Sequence, residues 1–131
     1  MKAVYLDASA LIKLFKLEPE SEALRRALEA WPVRISSHVV TVEAACAAHR
    51  LDDRDALALA EDAVARLNLL SVSDEVLARA RQPFQPRLRA LDAIHLATAI
   101  EFGDSIGAFL AYDRDLLSAA SAAGLATASP A

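Results

Sequence analysis

Four carboxylates in this chain occupy positions where chemistry is a better account than solubility. Asp7 directly follows the apolar run Ala3-Val4-Tyr5-Leu6, and Asp113 directly follows Ala108-Phe109-Leu110-Ala111-Tyr112. Each can cap the helix that comes next, aspartate being a favoured N-cap, and that reading stays open for both. Glu43 has Val39, Val40, Cys46 and Ala47 three and four residues away, which sets a carboxylate in an apolar helical stripe. A charge buried there needs a partner, because an unpaired one is costly or becomes neutralised. Arg50, two turns on, supplies an ion pair as the structural alternative. Asp92 lies among Leu88, Leu96 and Ala99 on another helix, where stabilisation by the helix dipole is the alternative. Considered together, four acids from four separate elements can converge on one point, and their repulsion makes that cluster unfavourable without a cation. A hard divalent ion with oxygen ligands relieves it, Mg²⁺ or Mn²⁺ suiting carboxylates plus water. The chemistry of such a site is activation of water and clamping of phosphoryl oxygens during in-line displacement.

The elements that must position these acids follow from hydrophobic periodicity. Residues 3–6 read as a buried strand, and Ser9 begins a helix over residues 9–17. Glu18-Pro19-Glu20-Ser21 breaks the chain and starts a second helix that ends near Trp31-Pro32. Residues 33–36 form a second strand, after which Ser36 or Ser37 caps a helix to about residue 51. Asp52 opens a fourth helix with Leu57, Ala60, Val64 and Leu67 on its buried face. Residues 68–72 form a third strand, Ser73-Asp74-Glu75 starts a fifth helix, and the two prolines within residues 82–86 require a loop. Residues 88–102 form a sixth helix stopped by Gly103, residues 108–112 a fourth strand, and a last helix reaches Ala123 before Gly124 ends it. Residues 125–128 fit a short edge strand. Strand–helix alternation without hairpin turns implies an α/β fold, a parallel sheet covered on both faces. Such sheets bind ligands at the carboxyl ends of their strands, where strand order reverses, and Asp7 and Asp113 emerge at that edge.

Composition bounds what kind of protein this is. The 131 residues fit one domain spanning 1–131, and 55% hydrophobic residues suit a compact, helix-rich core. The single cysteine, Cys46, excludes an internal disulfide and a thiolate zinc site; between Ala45 and Ala47 it reads as a small core residue, consistent with a reducing cytoplasm. The opening residues are too short and too soon charged for a signal peptide, and no apolar run approaches the roughly 20 residues of a membrane span. A net charge of −4 sits awkwardly with nucleic-acid binding. Five acids (Asp52, Asp53, Asp55, Glu61 and Asp62) however read as one solvated helix face, and a bound cation offsets the four candidate ligands. Arg79, Arg81, Arg87 and Arg89 cluster beside the proline loop, where phosphate contact and simple solvation are equally good accounts.

The motifs together resemble the PIN-domain proteins, and within them the VapC toxins of bacterial toxin–antitoxin pairs. The resemblance spans nearly the whole chain: Val4-Tyr5-Leu6-Asp7-Ala8-Ser9, then Ile35-Ser36-Ser37 with Glu43, then Leu88-Arg89-Ala90-Leu91-Asp92-Ala93-Ile94-His95-Leu96-Ala97-Thr98-Ala99, and finally Ala111-Tyr112-Asp113-Arg114-Asp115-Leu116. It implies a three-layer α/β/α sandwich with a central, mainly parallel sheet of four or five strands. It also implies a metal-dependent ribonuclease that hydrolyses phosphodiester bonds in single-stranded RNA or structured RNA loops, with Mg²⁺ or Mn²⁺ as cofactor. Under that resemblance Asp7 and Asp92 are the core metal ligands, Glu43 binds metal or orients water, and Asp113 completes the cluster. Ser9 hydrogen-bonds a ligand or a phosphate oxygen from behind. Asp115 faces solvent, and His95 is packed or hydrogen-bonded rather than catalytic. The family usually has Thr or Ser where Ala111 stands, so one polar contact to the cluster is missing. The implied partners are RNA, a short VapB-like antitoxin that lays an amphipathic segment over the protein and blocks the acidic pocket with a basic side chain, and a second copy in a homodimer. Leu14, Phe15 and Leu17 would supply the dimer patch.

Rival chemistries lack their residues. A phosphoacceptor switch or an aspartate-nucleophile phosphatase needs a lysine late in the chain, and the last one is Lys16. The only glycines, Gly103, Gly107 and Gly124, build no phosphate loop, and no G-x-S-x-G elbow occurs. His38 and His49 have no ligand spacing. The remaining alternative is a non-catalytic PIN-like domain that binds RNA or a partner, a class that loss of a key acid would mark; all four are present.

Overall fold

A computed structural model describes residues 2–131. The chain runs β1 (Ala3–Leu6), α1 (Ala8–Ile12), α2 (Ser21–Leu28), β2 (Arg34–Ser37), α3 (Val40–His49), α4 (Ala56–Ala65), β3 (Asn68–Leu70), α5 (Asp74–Ala80), α6 (Ala90–Phe102), β4 (Ile106–Leu110), α7 (Arg114–Ala122) and β5 (Thr127–Ala128). The strands form one sheet in the order β3-β2-β1-β4-β5, and every pair is parallel. The chain works outward from β1 through β2 to β3, then returns to the other side of β1 for β4 and β5. Strand order therefore reverses between β1 and β4, where Leu6 pairs with Leu110.

The period of two along β1 divides the core. Ala3 and Tyr5 pack with Leu96, Ala99, Phe109, Leu116 and Ala120 on the α6–α7 side. Val4 and Leu6 pack with Ala10, Leu24 and Leu28 on the α1–α2 side. Beyond that face, Leu11 joins the small residues of α3 and α4, namely Ala44, Ala48, Ala56, Ala60 and Ala63. The result is a three-layer α/β/α sandwich whose first strand is buried on both faces.

Several boundaries and faces differ from the sequence reading. Neither serine caps α3, which begins at Val40 with Val39 at its N-cap and no side-chain cap bond. Instead Ser36 Oγ donates to the Leu6 carbonyl at 2.7 Å, tying β2 to β1, and Ser37 Oγ accepts from the Val39 amide at 3.3 Å. The α3–α4 interface is built from alanines, which lets the two helices approach closely and turns larger side chains outward. Leu57 is thus exposed rather than buried, and so is Cys46, the expected core residue. Helix α1 stops at Ile12, giving way to turns through residue 16. In β4, Ile106 already pairs with the sheet, so the strand ends at Leu110 and Asp113 stands three residues beyond it. Gly103 closes α6 at φ 89°, a conformation that favours glycine. Among the described residues, no helix is long and apolar enough to cross a membrane.

Candidate active site

Asp7 leaves the end of β1 and becomes the N-cap of α1, its Oδ1 accepting from the Ala10 amide at 2.9 Å. The capping reading is therefore correct, but it occupies only part of the carboxylate. Ser9 Oγ lies 2.7 Å and 2.9 Å from the two Asp7 oxygens and donates to that group. The same hydroxyl accepts from the Tyr112 amide at 2.9 Å. One serine thus binds the Asp7 carboxylate to the chain segment after β4. Ala111 is fully buried and offers no polar side chain there, so the neighbouring backbone amide makes the cross-connection instead.

Asp7 is 2% exposed. Burial pushes its carboxyl up to about 6, against the Ala10 and Ser9 hydrogen bonds and the nearby His95, with Asp92 adding to the rise. Asp92 sits in the first turn of α6, half buried, at the end where the helix dipole favours an anion. Its carboxyl is nevertheless raised, first by burial, then by the Asp113 carboxylate, with Glu43 adding to the effect and His95 and Arg89 opposing it. Asp113 caps α7, its Oδ1 accepting from the Leu116 amide at 2.9 Å, and its side chain is exposed. Electrostatically, Asp92 is the hub: it feels Asp113 and Glu43, and Asp7 feels it.

Glu43 differs from the sequence reading in its partner. Arg50 is exposed and makes no ion pair with it among the described residues. Glu43 Oε1 instead meets His95 Nε2 at 2.6 Å. The other ring nitrogen, Nδ1, meets the Tyr5 hydroxyl at 2.6 Å, and that hydroxyl accepts from the Ser37 amide at 3.1 Å. Sequence reasoning placed His95 as packed or hydrogen-bonded, which it is, but gave it no link to an acid. The available signal was its position three residues after Asp92 on a helix whose other buried residues, Thr98 apart, are apolar.

Among the described residues, no three His, Cys, Asp or Glu side chains form a ready-made ligand array for an ion. The donor set still suits a hard one. Mg²⁺ keeps several waters and is commonly held through one or two carboxylates, so it does not require a closed protein cage. Asp7 and Asp92, both raised by burial and the first also by the second, match that requirement. The remaining candidates divide. Asp115 is exposed, as expected, and His38 and His49 are exposed as well. All four clustered arginines are exposed; Arg79 pairs with Glu101, and Arg89, the N-cap residue of α6, acts on Asp92.

Comparison with known proteins gives consistent matches. The PIN domain family matches residues 4–122. The chain is 42% identical to "Ribonuclease VapC46" of Mycobacterium tuberculosis over 131 residues, covering 99% of each chain. It is 35% identical to "Ribonuclease VapC35" of the same species, covering 97% of this chain and 96% of that one. Among solved structures, M. tuberculosis VapC20, a sarcin–ricin-loop-cleaving toxin, superposes with a TM-score of 0.73 at 23% identity, covering 98% of this chain and all of the other. A toxin–antitoxin complex from Klebsiella pneumoniae gives a TM-score of 0.67 at 25% identity, covering 87% and 89%.

Proposed function

The chain belongs to the PIN-domain family, with VapC ribonucleases among its relatives, and from that membership we propose that it is a divalent-metal-dependent ribonuclease acting as the toxin of a toxin–antitoxin pair. The observation that carries the reading is the gathering of acids from separate elements where strand order reverses, with Asp92 raising Asp7 and itself raised by Asp113 and Glu43. In this reading Asp7 and Asp92 hold Mg²⁺ or Mn²⁺, Glu43 contributes a ligand or orients the attacking water, and Asp113 completes the negative rim. When bound, the ion supplies Lewis acidity toward the phosphodiester and neutralises the acids. The chain's own part is orientation. Ser9 fixes the Asp7 carboxylate, and the α6 backbone carries Asp92 at a defined height over the sheet edge. Hydrolysis forms a new P–O bond from water and breaks one P–O bond of the RNA, the departing oxygen taking up a proton.

The exposed arginines around the proline loop suit the phosphates on either side of the cleaved bond. A VapB-like antitoxin and a second copy of the chain complete the proposed partners, with the cytoplasm as the site of action. The apolar groove of about 530 Å³ between α3 and α4, lined in part by Ala44, Leu57 and Val64, offers an amphipathic segment a seat outside the acid cluster. Incubation of the purified protein with bulk cellular RNA tests the reaction. Cleavage is expected with Mg²⁺ or Mn²⁺ and not in EDTA, and Asp7→Asn and Asp92→Asn each lower the rate more than about tenfold. Undiminished cleavage in EDTA, or in both variants, sinks the assignment.

A further inference from the structure

His95 is a fully buried polar side chain to which the ribonuclease reading gives no part. Its two ring nitrogens make two short contacts, one to a phenol and one to a carboxylate. The Tyr5 hydroxyl accepts from the Ser37 amide at 3.1 Å and is hydrogen-bonded to His95 Nδ1 at 2.6 Å. Nε2 faces Glu43 Oε1 at 2.6 Å, and because a carboxylate oxygen only accepts, the imidazole N–H is the donor of that bond. Tyr5 is itself clamped: it is fully buried, stacks on Phe109 at 5.1 Å and meets the imidazole edge-on at 5.8 Å.

We infer that Tyr5 and His95 form a positioning relay for Glu43, in which the strand-borne phenol holds the imidazole through Nδ1 and the imidazole Nε2–H holds one oxygen of the Glu43 carboxylate. The inference rests on the ribonuclease reading only for the purpose the relay serves. Among the described residues, Oε2 has no hydrogen-bond partner, so the relay occupies one oxygen and leaves the other for the ion or the water. Asp7 follows the end of β1, two residues after Tyr5, so one strand places Asp7 directly and Glu43 through a side chain of α6. The device also accounts for a carboxylate on α3 keeping register with acids carried by β1 and α6.

Nitrogen-detected NMR of the metal-free protein reads the His95 ring, with His95→Gln identifying which ring signals belong to it. The expected result is a slowly exchanging proton on Nε2 in the wild type, its signal lost or exchange-broadened in Tyr5→Phe. No proton on Nε2 in the wild type overturns the inference. In RNA cleavage, His95→Ala is expected to lose about tenfold or more in kcat, with KM changed far less. His95→Gln, whose amide can still donate to Glu43, recovers most of that loss. Wild-type rates in His95→Ala, or equal losses in the alanine and glutamine variants when both are folded, make His95 a packing residue and reject the relay. Should His95→Ala fail to fold, Tyr5→Phe decides: an unchanged Nε2–H signal and an unchanged kcat together reject it. If the wild type cleaves no RNA while the Nε2–H signal behaves as expected, the ribonuclease reading has failed and the relay stands.

Discussion

At the scale of single residues, Asp7 carries two obligations that pull its proton affinity in opposite directions. As the N-cap of α1 it accepts from Ala10, and with Ser9 it gains hydrogen bonds that favour the ionised form; burial disfavours that form and wins, leaving its carboxyl at about 6. The sign of the consequence is fixed by linkage. The folded chain binds this proton more tightly than the unfolded one, whose ordinary value is 3.8. Ionised Asp7 therefore destabilises the metal-free fold, fully above about pH 6 and progressively less as pH falls toward the unfolded value. The upper bound on that effect is on the order of 3 kcal/mol, since each tenfold change in proton affinity is worth about 1.4 kcal/mol. Asparagine keeps the capping acceptor and removes the charge, so Asp7→Asn is expected to be more stable than wild type in EDTA near neutral pH. That advantage should shrink as pH is lowered through about 6, as denaturant melts at a series of pH values would show. A constant difference across the series would mean that Asp7 is not held protonated by its surroundings.

At the scale of elements, the turns after α1 leave Leu17 83% exposed, whereas Leu14 and Phe15, its expected companions in a dimer patch, are partly buried against the α3–α4 cluster. If the chain pairs with itself through this region, Leu17 carries the apolar contact, and Leu17→Glu should lower the dimer fraction in sedimentation without changing the melting temperature. A wild type that is monomeric at high micromolar concentration, or a variant that pairs equally well, removes this surface from consideration. Which elements the sequence revealed depends on how sharply their residue types differ in hydrophobicity. β1 is an unbroken apolar run between charged residues, and α6 ends at a glycine with positive φ, so both were legible to within about two residues. The faces of α3 and α4 were not, because alanine is equally at home inside and outside and cannot say which stripe is buried. Larger neighbours such as Leu57 then drew the reading the wrong way. At the site, acids following strands stood out by type and place. The partner of Glu43 did not, since His95 lies 52 residues away and meets it only once α3 and α6 are docked on the same sheet.

At the scale of the whole molecule, the acids should make stability depend on the cation. The chain has a net charge of −4, and Asp92 is held against Asp113 and Glu43 while half removed from water. The metal-free fold bears that repulsion, and only a bound ion or a neutral substitution relieves it. Asp92→Asn is therefore expected to raise metal-free stability by roughly 0.5–2 kcal/mol while abolishing cleavage, the usual trade when a strained functional group is removed. Glu43→Gln should act in the same direction, since a glutamine oxygen can still accept from His95 Nε2 while the charge is gone. The exposed Asp113 should yield the smallest gain, because solvent screens it and asparagine preserves its cap on α7. All three substitutions should reduce the thermal shift produced by Mg²⁺, because stabilisation by a ligand falls with its affinity. The purely structural accounts predict otherwise. If Asp92 only answers the α6 dipole, neutralising it costs stability; if Glu43 only accepts from His95, glutamine does so too and brings no gain; in both cases the response to Mg²⁺ is untouched. Thermal melts of the wild type and the three variants, each in EDTA and in Mg²⁺, separate the two. Lower metal-free stability in Asp92→Asn and no gain in Glu43→Gln, with undiminished Mg²⁺ shifts, would make these carboxylates structural and move the ion elsewhere.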